Sequence, residues 1–468
     1  MTFSVIALVV VLVFVMLGYQ FNSNDGKIEQ GGLVQFDSQP SGANVTIDGN
    51  SFGTQTTSKT TMTAGQHFIT MNRSGYNPWQ KSITVVPGAV LWLNYARLVP
   101  TNIESKNMSD LSSVSSAVAS PDSESMAIKD DPVTPVIKLS DLTRDDARLS
   151  DLSLPADSFT APDEGKSQQF TISSWDPDSK YLLVKHTYND DRVEWIVVDT
   201  NNVNESKNVT TLLDIQASKL LFSNADSSVL YALIDSDVRK INLNDATLSR
   251  PLITNVDDFD LYSDSMITYT SLADSAGKRM VGYYVDGAQA SRVVKMVDDG
   301  SSPLRFTVGR YFNETFEAIA VGDTVEVLSG DLPRDNKTKL ALKALTSFTV
   351  KGGVQYLSDQ TNGRFIVAQN GPTYATYDLE LEKMTTTTLK GSSAVSRELS
   401  WLDKYHVWSD RDGMLRLYEF DGANQQDIMK VVPGMSVALT PNGKYIYGIT
   451  KSDNGMYHLT RAQMTIDK

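Results

Sequence analysis

Five Asp-Asp pairs punctuate the chain: Asp130-Asp131, Asp145-Asp146, Asp190-Asp191, Asp257-Asp258 and Asp298-Asp299. Neighbouring carboxylates can hold a hard cation or work as an acid–base pair. None of the five has the spacing of an EF-hand loop. They read as solvated loop acids, with a weak Ca²⁺ site as the sharper alternative. Carboxyl pairs for glycoside hydrolysis are defined by separation in space, which position along the chain does not give. The histidines are four, at 67, 186, 406 and 458. Cysteine is absent, which excludes disulfides, thiolate metal sites and a cysteine nucleophile. No Gly-x-Ser-x-Gly elbow, phosphate loop or dinucleotide fingerprint occurs with supporting structure. The sequence therefore names no catalytic residue, metal ligand or cofactor and leaves the binding residues open; the chain is expected not to be an enzyme.

The elements that would position any site are strands. Ser174-Trp175-Asp176-Pro177-Asp178-Ser179-Lys180 leads into Tyr181-Leu182-Leu183-Val184. Proline presets φ for a turn, an Asp side chain can close it, and the flanks are β-formers, so the stretch reads as a hairpin. It recurs as Ser120-Pro121-Asp122-Ser123 and as Thr440-Pro441-Asn442-Gly443. From about residue 117 the chain is strand after strand. Turns fall near Pro121, Pro177, Ala225, Asp264, Phe312, Thr361, Leu402 and Pro441. A repeat of roughly 40–50 residues, each a small set of strands, is the signature of a β-propeller. Eight blades are favoured, with seven as the alternative. The last unit is one strand short, and a segment within 103–116 is expected to supply it. Trp79, Trp92, Trp175, Trp195, Trp401 and Trp408 read as packing residues, not as sugar platforms.

Ahead of the propeller, Phe3 to Phe21 is uncharged and apolar, long enough to cross a bilayer as a helix. It has no basic leader and no small-x-small cleavage site, so an uncleaved anchor over 1–22 is expected, with the folded domains outside the cytoplasm. Residues 31–100 alternate at period two: Val34 with Phe36, Val45 with Ile47, His67 with Ile69 and Met71. They read as a small β-sandwich. Residues 101–116 are polar and read as a linker between independent domains, the propeller occupying 117–468. The fold expected is all-β behind one transmembrane helix.

Pro40-Ser41-Gly42-Ala43, Val45-x-Ile47-Asp48-Gly49, Gly53-Thr54, Ala64-Gly65-x-His67, Gly75-Tyr76-x-x-Trp79 and Leu98-x-Pro100 resemble the PEGA domain, with Ser41 where that family's namesake has Glu. The resemblance implies a binding or spacer module of prokaryotic surface proteins. The propeller hairpins resemble TolB and WD40-like propellers, which implies fold and not function. Basic residues number 42 against 56 acidic ones, a net charge of −14, which disfavours nucleic acid as a partner. The expectation is a membrane-anchored, extracytoplasmic binding or scaffolding protein of a prokaryotic cell envelope, its propeller presented for protein or polysaccharide recognition. The alternative is a propeller-type glycosidase or lyase acting on envelope or extracellular polysaccharide. Charged side chains converging in one pocket on the propeller axis would favour the alternative.

Overall fold

The computed structural model describes residues 19–22, 27–335, 337–359 and 363–466. Two bodies make up this part of the chain. The first is a sandwich of two sheets. One has strands Ser58–Met62, Gly32–Gln39 and Val90–Arg97; the other has Asn50–Gln55, Asn44–Ile47, Gly65–Asn72 and Trp79–Val85. Alternation places Val34, Phe36, Val45, Ile69, Met71 and Trp79 between the sheets, each at most 1% exposed.

The second body is eight antiparallel sheets of four strands each. The first blade is Ser116–Ala119, Ser125–Lys129, Val136–Asp141 and Leu149–Ser153. The first-to-second-strand turns fall where the sequence placed them; Thr361 lies outside the described residues. In three blades the residue before the proline closes the turn. Ser125, Tyr181 and Tyr445 donate their backbone N–H to the side chains of Ser120, Asp176 and Thr440. The fourth turn residue has φ near +60° each time, at Ser123, Ser179 and Gly443.

Apolar clusters lie between blades 1 and 2, 2 and 3, and so on round to 8 and 1. Each blade buries both faces against neighbours, so the second strands are apolar throughout: all six residues of Val229–Ile234 are buried. The eighth blade, Ala438–Leu439, Tyr445–Lys451 and Tyr457–Gln463, takes its outer strand from Ser105–Leu111. Ser105 pairs with Ala462 and Leu111 with Tyr457. The ring is eight-bladed and closed by a strand from its other end.

Two expectations are corrected here. The stretch 101–116 is not a free linker, because Ser105–Leu111 is a propeller strand. Nor are the two bodies independent. Lys81 of the sandwich reaches Glu419 at 2.5 Å and Asp421 at 2.8 Å in the seventh blade, over the rings of Tyr95 and Phe420. Trp79 donates its indole N–H to Glu419, and Arg97 pairs with Asp403 at 2.7 Å. Phe365 and Phe420 of the propeller belong to the sandwich's own apolar core. Burial works against the Lys81 charge, but Glu419 and Asp421 outweigh it and hold its pKa above the usual value.

The expected membrane-anchored localisation is also overturned. Most of the proposed 1–22 anchor lies outside the described residues. Its final part, Tyr19–Asn22, is a strand paired with Lys27–Gln30. No helix among the described residues is long and apolar enough to cross a membrane.

Two outcomes are expected. Leu111, 2% exposed between blades 8 and 1, costs about 3 kcal/mol when cut to Ala. Urea denaturation measures that, and hydrogen exchange should lose protection at Met126–Ile128 as well as at Tyr447–Ile449. Lys81→Met leaves Glu419, 1% exposed, buried without its cation, which costs about 3–5 kcal/mol. Calorimetry should then resolve a separate, earlier transition for the sandwich, partly reversed by adding Glu419→Gln.

Candidate functional site: a charged cleft on the propeller axis

In a ring of four-stranded blades the first strand of each lies innermost. Its side chains at period two face the axis. Blade 4 shows how. A bulge between Val256 and Asp258 in the inner strand Val256–Ser263 shifts the register. Val256 and Phe259 turn into the blade, 1% and 2% exposed, while Asp258 and Asp260 face out. Thr270 and Thr268 stand opposite them on the next strand.

A cavity of about 350 Å³ runs along this surface, bounded by inner strands of blades 3 to 6. Lys219 opens blade 3, Arg305 and Thr307 come from blade 5, Asp359 ends the inner strand of blade 6, and Glu398 precedes that of blade 7. A second cavity of about 390 Å³ shares Asp260, Thr268, Thr307 and Asp359 with the first and continues toward Arg310 and Arg334. The shared residues form a waist. Thr307 donates its hydroxyl to Asp359 at 3.1 Å. Gly309 makes the room: a Cβ there would lie 3.2 Å from the Asp359 Cβ.

The cleft's two mouths face different ways. Inner strands start on the face of the blade-to-blade connections and end at the first-to-second-strand turns. The sandwich docks on the second face, over the turns at Asp403–His406 and Phe420–Asn424. The 350 Å³ cavity opens among strand starts, on the face the sandwich leaves uncovered.

The charges are unevenly matched. Lys219 donates to Asp258 and to the Phe259 carbonyl, both at 2.7 Å. Arg305 gives its donors to the carbonyls of Gln355 and Leu304. Asp260, Asp359 and Glu398 are in no ion pair among the described residues. Asp260 and Glu398 touch the solvent of the lumen, yet the walls enclose them closely, and enclosure raises both pKa values. Asp359 is pushed up to about 7 by burial first, with the Asp260 charge adding to it. A carboxyl titrating there can exchange a proton at neutral pH.

Of the ten aspartates in the sequence pairs, Asp258 alone lines this cavity. Asp130, Asp146, Asp190 and Asp298 pair with Lys138, Arg148, Lys166 and Lys278. Asp131 and Asp299 cap turns. Among the described residues no group of three His, Asp or Glu side chains has the arrangement to hold a metal. Each histidine meets a carboxylate through Nδ1: His67 with Asp48, His186 with Glu194, His406 with Asp403 and His458 with Asp110. Trp175 and Trp195 tie neighbouring elements by bonds to the Val118 and Ala217 carbonyls. Asp260, Asp359 and Glu398 were not singled out by sequence; the alternation of acid and apolar residues at Asp258-Phe259-Asp260 was the one available signal.

Glu317, in the second strand of blade 5, is fully buried, and neither carboxyl oxygen has a hydrogen-bond partner among the described residues. Burial pushes its pKa up to about 8.

A family model, the PEGA domain, matches residues 32–102. No curated protein is similar in sequence. Among solved structures, an oligogalacturonate lyase in complex with manganese superposes with TM-score 0.40 at 12% identity, over 66% of this chain and 96% of its own. The Cps50 (Swd1) β-propeller domain of Myceliophteria thermophila gives 0.40 at 10%, over 71% and 99%. Hsv2 of Kluyveromyces lactis gives 0.39 at 10%, over 76% and 98%. Likenesses of this size carry nothing about activity.

The Glu317 carboxyl generates a pH prediction. Its folded pKa exceeds the ordinary 4.5, so the native chain holds a proton the unfolded chain has released. Its stabilising contribution is complete below pH 4.5 and is lost as pH rises through 8, at up to about 1.4 kcal/mol per pH unit. Urea midpoints measured across that range should fall less steeply for Glu317→Gln than for the wild type; parallel profiles would contradict this.

Proposed function

We propose that this chain, a PEGA domain docked on an eight-bladed propeller, is a binding or scaffolding protein that recognises its partner through the uncovered propeller face and the axial cleft behind it. The observation that carries this is the division of the ring's two faces. The sandwich is fastened over one by buried charge and shared apolar core, and the other keeps its loops and a polar cleft free. A rigid ring with variable loops on one open face suits recognition of a protein or polysaccharide.

A second reading has one observation in its favour. Charged side chains do converge on the axis, the feature that would mark a glycosidase or lyase, and Asp359 titrates near neutrality. Against it, the cations of the cleft, Lys219 and Arg305, are already committed to carbonyls and Asp258.

Charge reversal at the open mouth, Glu398→Lys, is expected to weaken partner or polysaccharide capture by about tenfold or more. Lys180→Glu, on a first-to-second-strand turn of the other face, should leave capture unchanged. Equal losses from both would reject the face assignment. New reducing ends or unsaturated products from a bound polysaccharide, abolished by Asp359→Asn, would establish the enzyme reading instead.

A further inference from the structure

We infer that the axial cleft is a receptor for a cationic side chain, the ammonium or guanidinium of a lysine or arginine presented by a protein partner. This rests on the open-face reading above and names the chemistry that the face would select.

Three carboxyls, those of Asp260, Asp359 and Glu398, face one cavity without a cationic partner among the described residues. Neither cation in the same wall bonds to them, although the Lys219 charge is felt at Asp260 and Glu398. Lys219 is held by Asp258 and the Phe259 carbonyl, and Arg305 by two backbone carbonyls. A wall with unpaired acids and committed bases carries a field that attracts an incoming cation. Enclosure is the first cause of the raised pKa values of the three acids, and at Asp260 and Glu398 the Lys219 charge offsets only part of it.

A second observation is independent of charge. Thr270 lines the cavity, is 5% exposed, and its hydroxyl oxygen has no hydrogen-bond partner among the described residues. Buried hydroxyls are rarely left unmatched, so a donor arriving in the cleft has an acceptor waiting beside the acids. Half-buried Tyr356 lines the same space and suits the apolar stem of a long basic side chain. A metal ion does not fit, because no group of three ligands among the described residues has the arrangement to hold one. Asp260 and Asp359 sit on inner strands, behind Glu398 in the segment that leads into blade 7, so the charge must be carried inward on a stem. An amine attached directly to a sugar ring lacks one.

The test uses the full chain and a short glycine-flanked peptide with one arginine, against the same peptide with neutral citrulline in its place. Calorimetric titration should show saturable binding of the arginine peptide, about tenfold tighter than the citrulline peptide. Asp359→Asn and Asp260→Asn should each remove most of that difference with unchanged thermal melting. Glu398→Gln provides a third variant at the solvent-open mouth should either inner substitution disturb folding. Equal affinity for the two peptides, or indifference to all three variants, overturns the inference. Preference for a glucosamine oligomer over the arginine peptide overturns the protein source. If the peptide fails to bind while capture of another partner remains sensitive to Glu398→Lys, this inference falls and the open-face reading stands.

Discussion

The ring must close, and the rest of the architecture follows from how it does. A blade is a sheet with two apolar faces, and it is stable only when both are covered. Seven of the eight junctions are made by consecutive sequence. The eighth depends on Ser105–Leu111 pairing with Tyr457–Gln463, which brings Leu111 against Tyr447, Ile449 and Leu459. Only seven residues, 98–104, separate that strand from the sandwich's last strand, which ends at Arg97. Closure therefore holds the sandwich beside the seventh and eighth blades. A module tethered so briefly cannot roam, and its docked position is a consequence of the ring's fastening.

Given that proximity, the interface was free to become part of both cores. Phe365 stacks on Phe420 at 4.3 Å, and Tyr95 of the sandwich meets Phe420 edge-on at 5.5 Å. The Lys81–Glu419–Asp421 group sits within this apolar surround. Buried ion pairs add little net stability against an apolar replacement, since desolvation offsets most of the attraction. Their effect is orientation. Glu419 accepts from Trp79, Lys81 and Asn424 together, and that set is satisfied in one docking geometry. Apolar contact supplies the adhesion, and the buried charge fixes the angle. Which propeller face remains open is decided there.

The cleft has a different logic. Asp260, Asp359 and Glu398 are in no ion pair among the described residues, while all four histidines and most loop aspartates have partners. A charge left unmatched inside a rigid wall is costly, and such sites tend to be retained for binding or chemistry. Gly309 adds to this, since any side chain there would press on Asp359.

Local chemistry determined much of this protein. The Pro-centred turns, the period-two strands and their repeat specified eight blades, because turn geometry and strand alternation depend on residues within a few positions of one another. The sandwich and its landmarks were legible for the same reason, and the missing outer strand pointed to a closing segment. Apolarity alone misjudged the N-terminus: Tyr19–Asn22 scored as the end of a span, yet it is paired as a strand. Polarity misjudged 101–116 in the same way, because an outer blade strand needs only one covered face and can look like a linker. Only the tertiary structure decided the docking and the cleft. Lys81 and Glu419 lie 338 residues apart, and Asp260, Asp359 and Glu398 come from three separate inner segments. No local pattern encodes such meetings; they exist because the closed ring brings its inner strands to one axis and its ends to one side.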